Sequence, residues 1–276
     1  MEKFQLSVFL KIIGLGSASG LIYVDNSIYL ISDNSTYLYH YQLDSLQLNK
    51  IKLFENSEEN IPKNLKSDFE SITFKDDRFF IIGSGSTENR NKVIIYEKDG
   101  SFTQENDLTL SNNRIKEILK ISDEDLNIEG VFTHNKKIYY FQRGNGANCK
   151  NGIIIAEDKS INKNPKIEFK PIKLPKIQKI ETTFTDAILV ENKIYFLATA
   201  ENTTSTYNDG EVLGSLIGCI DFETLKLEST HIITNTIKFE GLTLYKKSKN
   251  EIEFLLCEDN DTEILESTIY HLKLKI

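Results

Sequence analysis

A chain of 276 residues with 33 basic and 41 acidic side chains has a net charge of −8, which argues against nucleic acid and anionic membrane as partners, since phosphate surfaces require clustered Lys and Arg. No segment approaches the run of about 18 apolar residues that a spanning helix needs, and the length suits one closed all-β domain. Cys149, Cys219 and Cys257 are odd in number, far apart and without a CxxC, so they read as small packed side chains in a reducing, cytoplasmic setting rather than as disulfides or a zinc knuckle.

In chain order, residues 4–13 precede the first repeated unit and have no sheet of their own. Residues 7–15 are fairly apolar and Ser17-Ala18-Ser19 has the small residues of a cleavage site, which keeps a secreted or periplasmic location open. Lys11 interrupts that run, however, and the basic segment is one lysine beside Glu2. The first unit follows, with strands expected at 21–24, 27–32, 37–43 and 46–53. Asp25-Asn26 supplies the first turn, and the runs between turns are rich in β-branched and aromatic residues.

That unit opens a pattern seen five times: a polar or acidic residue, a small one, then an aliphatic one. It reads Ser19-Gly20-Leu21, Glu70-Ser71-Ile72, Glu129-Gly130-Val131, Asp186-Ala187-Ile188 and Glu240-Gly241-Leu242, with steps of 51, 59, 57 and 54 residues. A period of that size predicts a β-propeller of five blades, four antiparallel strands each. The blades are expected at 19–53, 68–108, 127–174, 184–233 and 239–276, as one domain over 1–276. The small second residue lets first strands crowd the axis. Ten residues after the leading position stands an aromatic, Tyr29, Phe80, Tyr139 or Phe196, with Phe254 four residues late in the fifth unit; each is expected to pack between blades.

A short helix over 113–121 is expected on the rim between the second and third blades, from Ile115, Ile118, Leu119 and Ile121. The fifth unit has strands at 241–246, 251–256 and 268–274 and lacks a fourth. Residues 4–13 are expected to supply it and close the ring.

The loops entering first strands and those joining second to third strands share one face. There lie 33–34, 83–91, 142–151, 200–210 and 258–261, long and polar, while the opposite hairpins at 25–26, 76–77 and 135–136 are tight. Function is expected on the long-loop face, with a small-molecule or peptide ligand and a monomeric protein. Glu70, Glu129, Asp186 and Glu240 are expected to ring the tunnel mouth. Repulsion among them admits three outcomes: bonds to backbone amides around the axis, a hard cation such as Ca²⁺, or a metal-free acid–base site with raised pKa values. Arg143 or Lys238 is available to pair with them. Arg143, in Gln142-Arg143-Gly144, is the candidate for holding an anionic group, and Glu258, Asp33 and Asn34 could add oxygen ligands. His40, His134, His231 and His271 lie in outer strands or near a tight hairpin, and no GxSxG, HExxH or P-loop is present.

Ser19-Gly20-Leu21 with Ile31-Ser32-Asp33-Asn34, then Asp68-Phe69-Glu70-Ser71-Ile72, resembles the bacterial SdiA-regulated and phytase-like (esterase-like) propellers. Asn127-Ile128-Glu129-Gly130-Val131 and Phe239-Glu240-Gly241-Leu242 repeat the theme. Ser71 replaces the Gly of the second element, and a basic cluster suited to phytate is missing. The resemblance implies calcium ligands at Glu70, Glu129, Asp186 and Glu240. Two functions follow as expectations. One is a ligand-binding propeller with an acidic mouth. The other is a metal-dependent hydrolase of a phosphoester, ester or lactone, with Glu129 or Glu240 as base and Arg143 orienting the substrate.

Overall fold

The computed structural model describes residues 4–146, 148, 150–157, 166–203, 210–260 and 264–275. Strand β1 (Phe4–Ile13) comes first. Blade one is β2 (Ala18–Val24), β3 (Ser27–Ser32), β4 (Tyr37–Gln42) and β5 (Gln47–Lys52). Blade two is β6 (Phe69–Lys75), β7 (Arg78–Gly83), β8 (Lys92–Glu97) and β9 (Thr103–Asp107), followed by helix α1 (Thr109–Leu119). Blade three is β10 (Ile128–His134), β11 (Lys137–Gln142), β12 (Gly152–Glu157) and β13 (Ile167–Pro171). Blade four adds a two-residue strand, β14 (Lys176–Ile177), to β15 (Ile180–Val190), β16 (Lys193–Asn202), β17 (Glu211–Asp221) and β18 (Leu227–Thr234). Blade five is β19 (Lys238–Lys247), β20 (Glu251–Asp259) and β21 (Glu266–Lys275), with β1 as its outer strand. No helix among the described residues is long and apolar enough to cross a membrane.

The inner strands β2, β6, β10, β15 and β19 pack side by side and close a ring. This is the five-bladed propeller that the repeat predicts. β1 pairs antiparallel with β21 from Phe4↔Leu274 to Ile13↔Glu266, so the first strand completes the last blade as expected. The three tight hairpins place both central residues at positive φ: Asp25 and Asn26, Asp76 and Asp77, Asn135 and Lys136. That is the twist-matched two-residue turn, and Asp and Asn tolerate it better than most residues.

Every inner strand carries a bulge at the start of the unit. The unpaired residues are Ser19, Glu70, Glu129, Thr185 and Glu240. The fourth unit is therefore read one residue late from the sequence: Thr185, not Asp186, is its leading residue. Asp186 occupies the position of Gly20, Ser71, Gly130 and Gly241. There the neighbouring inner strands nearly touch. A Cβ on Gly241 would come within 2.5 Å of Cys257 Sγ and 3.0 Å of Gly20 Cα.

The same shift corrects the aromatic register. Tyr29, Phe80 and Tyr139 hold the expected place, opposite Ile22, Thr73 and Phe132, but the fourth blade puts Tyr195 there opposite Ile188, and the fifth puts Leu255 opposite Thr243. Two of the expected aromatics pack between blades: Tyr29 lies 4.4 Å from Phe79 of blade two, and Phe254 lies 5.1 Å from Tyr195 of blade four, a residue the sequence pattern does not single out.

Helix α1 begins four residues before the expected start. Asp107 Oδ1 accepts the Thr109 N–H and hydroxyl at 2.8 and 2.6 Å, which satisfies one of the amide donors left free at the helix start. Lys120 ends the helix in a left-handed conformation. Ile115 and Leu119 are buried against Leu126, Val131 and Ile138.

Candidate functional site

Strand ends and long loops of all five blades converge at one mouth of the axis. Blade one contributes Asp33, after β3. Blade two contributes Lys66, Asp68 and Glu70 at the entry to β6, with Arg90 in a 3-10 turn, Glu88–Arg90. Blade three contributes Asn127, Glu129 and Arg143, blade four Glu201 at the end of β16, and blade five Lys238, Glu240 and Asp259. Polar groups belong here because a first strand begins, and a second ends, at the rim of a ring whose core is already filled by aliphatic and aromatic side chains.

The charges form two linked groups. On one side, Lys66 Nζ bonds Asp33 Oδ2 and lies 2.8 Å from Asp68 Oδ1. Arg90 Nη1 lies 2.7 Å from Asp68 Oδ2, which also accepts the Ser84 hydroxyl, and Arg90 Nη2 donates to the Lys63 carbonyl at 3.1 Å. On the other side, Arg143 is 4% exposed and lies among three carboxylates: Glu129 at 3.2 Å, Glu201 at 2.5 Å and Glu240 at 3.7 Å. Lys238 joins Glu240 at 2.8 Å to Asp259 at 3.0 Å. Asn127 Nδ2 donates to Glu129 Oε1 at 2.6 Å.

Seven carboxylates (Asp33, Asp68, Glu70, Glu129, Glu201, Glu240, Asp259) thus face four cationic side chains (Lys66, Arg90, Arg143, Lys238). Glu70 is half-buried and makes no hydrogen bond or ion pair with any described residue. Among the described residues, two buried oxygens nearby also lack a donor, Asp33 Oδ1 and Glu129 Oε2, and Arg143 Nε lacks an acceptor.

Burial raises Glu70 well above the usual carboxylate range, and Asp68, Glu129, Glu240 and Asp33 add to it. Burial also raises Glu240 against the pull of Lys238, Glu129 against Arg143, and Asp33 against Lys66. Lys66 and Arg143 stay charged, because their carboxylate neighbours outweigh the cost of burial.

These carboxyls protonate more readily in the folded protein than in the unfolded chain. Above the unfolded value, about pH 4, the folded state therefore holds more protons, and stability falls as pH rises through the raised values. The melting temperature is expected to be highest in mildly acidic buffer and to decline toward alkaline pH. Glu70→Gln is expected to flatten that decline and to stabilise the protein at pH 7.5 by about 1 kcal/mol, or roughly 2–4 °C. Melting curves from pH 5 to 9 check this; a rising profile that Glu70→Gln leaves unchanged would contradict it.

Of the residues named from sequence, Glu70, Glu129, Glu240, Arg143, Lys238 and Asp33 do meet at the mouth. Asp186 does not join them. Its carboxylate is buried between inner strands and accepts the N–H groups of Ala187 and Leu242, both at 2.7 Å, so it is a backbone clamp between blades four and five. Burial raises its pKa against those two amides. Ser19 and Thr185 also serve as clamps: their hydroxyls donate to the carbonyls of Phe69 at 2.5 Å and Phe239 at 2.6 Å in the next blade. The ring is therefore three glutamates and two hydroxyls. Arg143 is enclosed by carboxylates rather than open to a substrate anion. Asn34 accepts the Ser32 hydroxyl at 3.0 Å, and Glu258 accepts the Tyr270 hydroxyl at 2.9 Å. Cys219 and Cys257 are buried thiols pushed up in pKa, Cys219 to about 12; Cys149 lies outside the described residues.

Lys66, Asp68, Arg90, Glu201 and Asp259 are the members that sequence reasoning missed. One signal was available. Asp68-x-Glu70, Asn127-x-Glu129 and Lys238-x-Glu240 each put a polar group two residues before the glutamate, where a strand returns to the same face.

Asp33, Asp68 and Glu70 each bring a carboxylate oxygen within 4.8 Å of the others, close enough to share one cation. Calcium takes about 6–8 oxygens. Both Asp68 oxygens and Asp33 Oδ2 are already bonded to Lys66, Arg90 and Ser84. Only Asp33 Oδ1 and the Glu70 carboxylate are left, beside a fixed ammonium, so the donor set as built does not fit calcium.

The chain is similar in fold to Myxococcus xanthus glutaminyl cyclase, with 10% identity, a TM-score of 0.53 and coverage of 98% of this chain and 97% of that one. It is also similar to the GH43 β-1,3-galactosidase BT0265, with 10% identity, a TM-score of 0.53 and 94% of this chain covered but only 58% of that one. At such identities the likeness concerns the fold alone. No curated protein matches the chain. The finer resemblance to SdiA-regulated and phytase-like propellers gains nothing from these matches beyond the propeller itself. The model of a family of unknown function, DUF6929, matches residues 14–274, and the chain belongs to that family.

Proposed function

We propose that this propeller binds a small molecule through a primary ammonium group at the acidic mouth. One observation carries the reading: three carboxylate groups, Glu70, Asp33 through Oδ1 and Glu129 through Oε2, present oxygens for which no described side chain supplies a donor. An ammonium offers three donors and one positive charge, which is what an excess of carboxylates over cations lacks. Its hydrogen bonds to ionised acceptors would be the stronger, charge-assisted kind. The same reading takes the protein to be a cytoplasmic monomer without a nucleic-acid or membrane partner, in keeping with its net charge.

Calorimetric titration with a panel of monoamines, diamines and amino sugars, each beside its neutral hydroxyl counterpart, tests the proposal. Amines are expected to bind and the hydroxyl compounds not. Glu70→Gln is expected to weaken binding about 10–100-fold, and affinity is expected to rise with pH as Glu70 ionises. No amine binding at millimolar concentration, or full binding by Glu70→Gln, would end the reading.

A second reading, hydrolysis of a phosphoester, ester or lactone, draws on Glu129 Oε2. A buried carboxylate oxygen without a donor supports this reading, because a general base needs an acceptor that is not already engaged. Turnover on an ester, lactone and phosphate panel that Glu129→Gln abolishes would favour it over simple binding.

A further inference from the structure

We infer that Lys66 is the resident cation of the Asp33–Asp68–Glu70 triad, standing where a calcium ion would otherwise be held. The inference does not rest on the ammonium-ligand reading, since it concerns the oxygens that Lys66 already holds.

Three observations lead to it. The triad's oxygens are spaced for a single cation, since each lies within 4.8 Å of the others. The Lys66 ammonium bonds two of the three carboxylates, Asp33 and Asp68, and its side chain is only 10% exposed. Arg90, 4% exposed, engages the remaining Asp68 oxygen at 2.7 Å. Lys66 enters from the segment before β6, two residues ahead of Asp68, so ligand and cation are delivered by one short stretch of chain. An ammonium satisfies acceptors at hydrogen-bond distance and needs only three of them. A calcium ion needs roughly twice that number. Lysine thus has two of its three acceptors in place, Asp33 and Asp68, while the same oxygens fall well short of a calcium shell.

Removing the ammonium reverses this balance. Asp33 Oδ2 and Asp68 Oδ1 lose their main donor, and the triad offers up to five free oxygens around a site with one positive charge fewer. Waters can fill the rest of a calcium shell.

The test uses the full chain, freed of metal by chelation and then titrated with calcium chloride alone, for wild type, Lys66→Ala, Lys66→Gln and Lys66→Arg. Wild type and Lys66→Arg are expected to show no calcium-dependent melting shift at 1 mM. Lys66→Ala and Lys66→Gln are expected to melt lower in chelator and to regain several degrees on adding calcium, an effect of mass action on the folded state. Adding Asp33→Asn to Lys66→Ala is expected to remove the rescue. A calcium shift in wild type overturns the inference, as does a folded Lys66→Ala or Lys66→Gln that ignores calcium. If neither neutral variant folds with or without calcium, ¹⁵N spectra of the wild-type lysine ammonium groups decide. A slowly exchanging Lys66 NH₃⁺ signal unmoved by calcium supports the inference, and a Lys66 signal that is absent or lost on adding calcium overturns it. None of these outcomes depends on whether an amine binds, so the two readings fail separately.

Discussion

Replacing Arg143 by Met is expected to cost about 3–5 kcal/mol, a large share of the 5–15 kcal/mol that holds an ordinary domain together. The reason is geometric. Nη1 lies between Glu129 and Glu240 at 3.2 and 3.7 Å, and Nη2 meets Glu201 at 2.5 Å, all with side chains about 5% exposed or less. Methionine fills the space but leaves three carboxylates from three blades facing one another with little water. Lys238 still neutralises Glu240. Glu201 keeps one donor, the Gly210 N–H at 2.6 Å. Glu129 keeps only Asn127. The loss should shrink in acid, because protonating Glu129 and Glu240, both already raised, removes the repulsion. Adding Glu129→Gln to Arg143→Met should recover part of it, since the two side chains are coupled. Arg143→Lys should fall between, as one ammonium cannot serve acids on separate guanidinium nitrogens. Urea unfolding at pH 7.5 and pH 5 measures each term. An Arg143→Met protein within 1 kcal/mol of wild type at pH 7.5 would show the cluster to be hydrated and the charges screened.

The fold was legible because the repeat is local. Polar, small and aliphatic residues stand at the bulge of each inner strand, and the crowding at Gly20, Gly130 and Gly241 requires small residues at that place in those blades. The frame slipped in blade four because Thr185-Asp186-Ala187 matches the pattern by backbone geometry, while Asp186-Ala187-Ile188 matches it by polarity. A bulge is defined by which residue lacks a cross-strand partner, and no single sequence displays that. The candidate site was half legible for a similar reason. The three glutamates sit at the same offset in their units, so they were found. Lys66, Arg90 and Glu201 come from loops and strand ends at unrelated offsets, and what joins them to the rest is charge pairing, which has no period; Asp259 does repeat, standing opposite Lys238 as Arg143 stands opposite Asn127, but the longer hairpin of blade five hides the match. The acidic excess was visible, but not that Lys66 and Arg143 occupy its centre.

Deleting residues 1–13 is expected to abolish cooperative folding, the largest effect predicted for this protein. β1 is the outer strand of blade five, paired with β21 along nearly its whole length. Ile12 is fully buried against Leu255 and Ile269, Phe4 and Leu6 pack on the cluster that contains Leu272 and Leu274, and Phe9 stacks edge-on against Tyr245 at 5.4 Å. Without β1 that apolar surface is exposed and β21 becomes a bare edge about ten residues long, a template for association. Ile12→Ala alone should cost about 2–5 kcal/mol by cavity formation, which sets the scale for one contact among several. The decisive control keeps the strand and moves the break. Phe4 pairs with Leu274, so the two chain ends lie side by side. A circular permutant that joins residue 275 to residue 4 through a short Gly-Ser turn, with new ends at the exposed Gly100–Ser101 hairpin of blade two, should melt within a few degrees of the native chain. If β1 acts only by closing the ring, the truncated protein is aggregated or unfolded and the permutant is native. A truncated protein with a sharp melting transition near that of wild type would mean that four blades and a three-stranded fifth hold the circle by their inner strands alone.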